Sequence, residues 1–171
     1  MILSFDGVDP DIGEDVFVAD DAKVIGRVTI GDRSSIWYGC VVRGDVGTIV
    51  IGDETNIQDL TTIHITGERF NTRIGSRVTV GHRAILHGCT IEDDVLIGMG
   101  AIVLDGAVVE KGALVGAGAL VAPGKVIPAG TMALGSPARV IKELGPEALA
   151  AHRESAQHYV ENAQAHAKLF D

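Results

Sequence analysis

Three histidines, His64, His82 and His87, are the side chains of this 171-residue sequence whose type and spacing suit metal chemistry. Neutral imidazole binds zinc at about 2.0–2.1 Å, and three such ligands leave the fourth tetrahedral position open, the arrangement of a catalytic rather than a structural zinc. Imidazole does not exclude Fe2+ or Co2+. His152, His158 and His166 fall in the C-terminal segment and read as hydrogen-bonded or solvated side chains of a helix. Whether the first three reach one ion depends on the elements that carry them.

Those elements follow a period of six. Ile91, Ile97, Val103, Val109, Val115, Val121 and Ile127 recur in step, with Val95, Ala101, Ala107, Ala113 and Ala119 four positions later and glycines between. A period of six fits neither an amphipathic helix nor simple strand alternation, but it fits a solenoid whose stacked units bury one continuous apolar column. Ile12, Val18, Val24, Ile30, Ile36 and Val42 set the same register, which Ile51, Ile57, Ile63, Ile74, Val80 and Leu86 continue. Insertions are expected in a turn at Gly44 to Thr48 and in a bulge near Thr66 to Asn71, and Met1 to Asp11 read as an irregular lead-in. Nineteen starts give about six coils. The sequence thus divides into an all-β solenoid over residues 1–136 and a C-terminal helical segment over 137–171. After Gly145-Pro146 a helix from about Glu147 to Phe170 carries Leu149, Ala156, Tyr159, Val160, Ala163 and Phe170 on one side, suited to pack along the prism.

Counting units in threes places Val42, Ile63 and Leu86 on one face in successive coils, so Arg43, His64 and His87 form a column. The two histidines would stand about 5 Å apart along the axis. Ile57 and Val80 share the neighbouring face, which puts Gln58 one coil from His82, itself near a corner. One prism therefore offers two ligands in one place and a third elsewhere. A closed cyclic trimer would bring His82 of one chain to His64 and His87 of the next.

With 46% apolar but only 4% aromatic residues, the interior must be Val, Ile, Leu and Ala. A net charge of -9 without a basic stripe argues against nucleic acid as partner. Met1 to Pro10 show neither a secretory signal nor a membrane span, so the expectation is a cytoplasmic protein without membrane contact. Cys40 and Cys89 sit at small interior positions and read as buried free thiols. Trp37 and Tyr38 read as packing or interface residues.

The stretches Arg43-Gly44-Asp45, Gly52-Asp53, Asn56-Ile57-Gln58-Asp59, Ile63-His64, Gly81-His82 and His87-Gly88-Cys89-Thr90 resemble the gamma-class carbonic anhydrase family, whose hexapeptide repeats form a left-handed parallel β-helix. The resemblance implies a homotrimer with zinc at each subunit interface, reversibly hydrating CO2 to bicarbonate through a zinc-bound hydroxide. It implies that Arg43 and Asp45 join subunits, that Gln58 and Asn56 stand beside the hydroxide and substrate, and that Tyr159 reaches the site from the helix, with packing as its alternative role. The family's well-studied form carries proton-transfer acids at positions matching Val46 and Gly67, with only Glu68 nearby, so hydration is expected to be weak or conditional. Three other readings remain open: a hexapeptide-repeat acyltransferase, which the tip at Gly135 to Arg139 also fits, a metal-dependent thioesterase, and a non-catalytic trimeric scaffold.

Overall fold

Every sixth residue or so the extended backbone is broken, and the chain turns a corner. The C-terminal coils place glycine there, as at Gly112 (φ +68°), where an added Cβ would meet the Leu149 side chain at 2.6 Å. Earlier coils instead hold Glu54, Arg77 and Asp94 in left-handed backbone, so their corners do not carry the glycine expected from the later repeats.

The computed structural model describes residues 1–169, and only the backbone at Glu68; Phe170, expected on the helix face, lies outside the described residues. Short strands stack in parallel on three faces of a prism. The first face carries 23–25, 41–43, Thr62–His64, Ile85–His87, Ile102–Val103 and Leu120–Val121. The second carries 28–30, 49–51, Thr72–Ile74, Thr90–Ile91, Val108–Val109 and Val126–Ile127. The third runs from Phe17–Val18 through Asn56–Ile57 and Thr79–Val80 to Thr131–Leu134. Aliphatic residues at the repeat starts, among them Ile57, Ile63, Ile74, Leu86 and Ile97, are fully buried, and Ala84, Ala101, Ala107 and Ala113 fill the narrower places beside them. This is the expected all-β parallel solenoid with a C-terminal helix.

Three details differ from expectation. The solenoid has about 7 turns rather than six, because Ile2–Leu3 already pairs with Val24 and Ile25, so the lead-in forms a rung. The insertion at 44–48 is not a turn: Val41–Ile51 is one strand, continuous across the edge between the first two faces and bulged against Lys23–Ile30. The second insertion holds a 3-10 turn, Gly67–Arg69, closed by a Thr66–Phe70 bridge. At the far end Arg139–Glu143 folds back antiparallel on Thr131–Leu134.

The helix, Pro146–Ala167, packs along the third face and buries His152, Ala156, Val160 and Ala163, so a histidine joins the stripe expected to be apolar. His152 donates its Nδ1–H to the Asp94 carbonyl (3.1 Å), and burial holds its imidazole below its ordinary range. At the other end His166 meets the Tyr38 hydroxyl at 3.0 Å, within an aromatic cluster of Phe17, Trp37 and Tyr38.

One carboxylate holds the helix to the prism. Asp94, with a fully buried side chain, accepts a two-pronged bond from Arg153 at 3.1 Å and one from Arg77 at 2.8 Å. Burial alone would raise its pKa, but the two guanidiniums prevail and bring it down to about 2. Because its folded value lies below the unfolded one, the stabilisation is present above about pH 4 and lost as pH falls toward 2. Both arginine heads reach solvent, which screens the pair. Asp94→Asn is therefore expected to cost about 1–2 kcal/mol near neutrality. Calorimetric melts should show a Tm gap between the two proteins at pH 7 that narrows at pH 3, and a gap independent of pH would contradict this account.

Candidate metal centre

His87 and His64 are register partners on neighbouring coils of the first face. Their rings stand 5.2 Å apart, with His64 Nδ1 only 3.2 Å from His87 Nε2. The column read from the six-residue register is therefore present, and Arg43 continues it below His64, since Val42 pairs with Ile63.

Each outer ring nitrogen meets a carboxylate. Asp45 Oδ1 lies 2.9 Å from His64 Nε2, and Asp105 Oδ1 lies 2.7 Å from His87 Nδ1. Asp45 also pairs with Arg43 within the same chain, while Asp105 accepts from Thr66 Oγ1 at 2.7 Å. Burial pushes both carboxyls up, but His64 and Arg43 at one, and Thr66 and His87 at the other, hold them below the usual carboxylate range. A neutral imidazole has one N–H; where each carboxylate accepts it, His64 Nδ1 and His87 Nε2 are left with lone pairs facing each other, an arrangement a shared cation would satisfy. Two nitrogens on a tetrahedral zinc at about 2.0–2.1 Å would lie about 3.3 Å apart, so the observed spacing fits such an ion.

His82 stands on a different edge, at the corner between the third and first faces. Its Nδ1 meets Asp59 Oδ2 at 2.8 Å, which leaves Nε2 outside that contact, on a side chain 42% exposed. Among the described residues no three His, Cys, Asp or Glu side chains of the single chain gather to hold a metal ion. The prism brings His64 and His87 together and leaves His82 apart.

Asn56 and Gln58 belong to the His82 side. Gln58 donates its backbone N–H to Val80 and its Nε2 to Asn56 Oδ1 at 3.1 Å, so it lies one coil from the His82 corner as expected. Tyr159 comes to this side from the helix, 5.4 Å from the Trp37 ring centroid. Its phenol is pushed up by burial and further by the charge of Asp59, so it remains a donor at neutral pH. Val46 is 48% exposed and Gly67 begins the 3-10 turn; neither carries a titratable group. Cys40 and Cys89 are buried free thiols, pushed up to about 12 by burial.

Reading by repeat starts missed Asp105 and Thr66, because it followed the histidines and the family motifs and not the other turn residues that reach them. The available signal was Gly88, directly after His87: a Cβ there would meet Asp105 Oδ1 at 2.3 Å, so glycine makes the room through which Asp105 reaches the imidazole.

Comparison with known proteins follows the same lines. The family profile described as bacterial transferase hexapeptide (six repeats) matches residues 9–44 and 88–123, and that described as the hexapeptide repeat of succinyl-transferase matches 71–104. The chain is 52% identical over 163 residues to gamma carbonic anhydrase 2, mitochondrial, of Arabidopsis thaliana, covering 92% of this chain and 59% of that relative. It thus spans about three fifths of the plant protein's length. It is 52% identical over 149 residues to the probable carbonic anhydrase of Methanocaldococcus jannaschii, covering 87% of this chain and 93% of the relative. Among solved structures, a hexapeptide transferase family protein from Anaplasma phagocytophilum superposes with TM-score 0.92 at 39% identity, over 96% of this chain and 97% of that one.

Proposed function

This chain belongs to the gamma-class carbonic anhydrase family of hexapeptide-repeat proteins, and we propose that it reversibly hydrates CO2 to bicarbonate at metal centres completed between the subunits of a homotrimer. The observation that carries the reading is the pair of imidazole nitrogens, His64 Nδ1 and His87 Nε2, 3.2 Å apart on rings each backed by a carboxylate. His82 has the same carboxylate backing on another edge. A head-to-tail ring of three copies sets one edge of each prism against a different edge of the next. His82 from a second copy then completes the ligand set.

His64, His82 and His87 would hold zinc, with Fe2+ or Co2+ as substitutes, and such an ion would supply Lewis-acid chemistry that lowers the pKa of water toward neutrality, chemistry for which carbonic anhydrase is itself the reference case. The chain's own residues do the rest. Asp45, Asp59 and Asp105 hold the three imidazoles in the tautomer that leaves a lone pair for the metal. Arg43 neutralises Asp45 and ties it to the prism. Gln58, steadied by Asn56, orients the attacking water; Tyr159 contributes an O–H donor from the helix. With Val46 and Gly67 where proton-transfer acids would stand, the proton must leave through solvent, so hydration is slow. An acyltransferase of the hexapeptide type needs a single catalytic histidine, and carboxylates on all three favour the metal centre. No described helix is long and apolar enough to cross a membrane.

Complementation tests the composite site. His87→Ala lacks one half-site and His82→Ala the other, so each alone should be inactive. Coexpressed in equal amounts, they assemble mixed trimers in which one of three interfaces is intact, and about a quarter of wild-type activity and metal content should return. Mixed trimers without recovery would show that the three histidines do not converge between subunits.

A further inference from the structure

The geometry points to Thr79 and Ser155 as positioning residues that fix the Gln58 amide and so make the C-terminal helix part of the reaction apparatus; this rests on the proposed hydration reaction. Four side chains form a continuous relay from helix to site. Ser155 Oγ meets Thr79 Oγ1 at 3.3 Å, Asn56 Nδ2 donates to Thr79 Oγ1 at 3.0 Å, and Gln58 Nε2 donates to Asn56 Oδ1 at 3.1 Å. Asn56, Gln58 and Thr79 are buried, and Ser155 half-buried.

The relay has a direction. Asn56 Nδ2 also faces the Val78 carbonyl at 3.4 Å, and a carbonyl can only accept. Turning the Asn56 amide over would set two oxygens against each other, so its Oδ1 must face Gln58. Gln58 in turn must present Nε2 to Asn56, which leaves its Oε1 outward. No buried side-chain nitrogen or oxygen among the described residues lacks a partner, and Oε1 is the end of the amide that the relay leaves for the proposed site. An acceptor there binds the proton of an attacking water and turns its lone pair toward carbon; an N–H there would compete for that lone pair.

Thr79 is the joint of this relay. Its hydroxyl accepts from Asn56, so its own proton is free for Ser155, and this contact locks the rotor. Ser155 and Tyr159 lie one helical turn apart on the same side, so the helix that brings the tyrosine also sets the amide. Its docking through Asp94 and Arg153 thereby bears on the reaction.

Thr79→Val keeps the shape of a β-branched strand residue and removes the hydroxyl. We expect kcat for CO2 hydration to fall about tenfold, with KM within about twofold and metal content unchanged; Thr79→Ser should restore kcat, and Ser155→Ala should give a smaller loss. The second readout does not need activity. In the wild type the Gln58 and Asn56 side-chain amide protons should exchange slowly with solvent by NMR, and in Thr79→Val those of both should exchange at least about tenfold faster. Unchanged amide exchange in Thr79→Val would overturn the relay. If the wild type proves inactive with CO2 but the amides respond as stated, the relay stands and the hydration reading fails.

Discussion

His82→Ala is expected to lower zinc affinity by more than about a hundredfold and to reduce CO2 hydration to the uncatalysed background. The bound stems from chemistry: loss of a residue that merely backs a ligand costs about 10–100-fold, and loss of the ligand itself must cost more. The fold should survive, since the side chain is 42% exposed at a corner, where it meets Asp59. Melting temperature and circular dichroism should therefore match the wild type once both are stripped of metal. Metal content, stopped-flow hydration and particle mass measured on both proteins separate the outcomes. A variant that keeps its zinc would remove His82 from the ligand set. One that loses zinc and still hydrates CO2 would move the reaction elsewhere on the chain.

The same residue shows how much of this molecule the sequence discloses. The pairing of His64 with His87 follows from arithmetic on the repeat, because parallel stacking converts sequence offset into spatial neighbourhood, and the structure makes them register partners. Burial of Ile57, Ile63 and Leu86 follows for the same reason. What arithmetic does not convey is the corner chemistry. Asp105 and Asp59 reach their imidazoles from turns, where one residue more or less redirects a side chain. The strand Val41–Ile51 runs across an edge where a turn was expected, since its pairing to Lys23–Ile30 is kept through a bulge. Asp94 is a further case: in sequence it is one acid among many on a chain of charge -9, and only the docked helix gives it Arg153.

Asp105 carries the second large effect. Its carboxylate lies 2.7 Å from His87 Nδ1 and is itself held by Thr66, so it both selects the tautomer and raises the basicity of the ligating nitrogen. Asp105→Ala is expected to weaken zinc binding by about 10–100-fold, as measured by competition with a chromophoric chelator at fixed pH. Asp105→Asn keeps an acceptor but not the charge, and should lie between the two, near tenfold. The ordering Asp, Asn, Ala matters more than either value, because a purely steric role would group Asn with Asp. Gly88→Ala approaches the same contact from beneath: its Cβ would meet Asp105 Oδ1 at 2.3 Å, forcing the carboxylate away from the imidazole. It should weaken zinc binding even though no ligand is altered, and that loss should not add to the loss from Asp105→Ala in the double variant. Full additivity would mean that Gly88 acts through its own backbone strain at φ +57°, and zinc affinity unchanged in Asp105→Ala would mean that His87 needs no carboxylate to take up the metal.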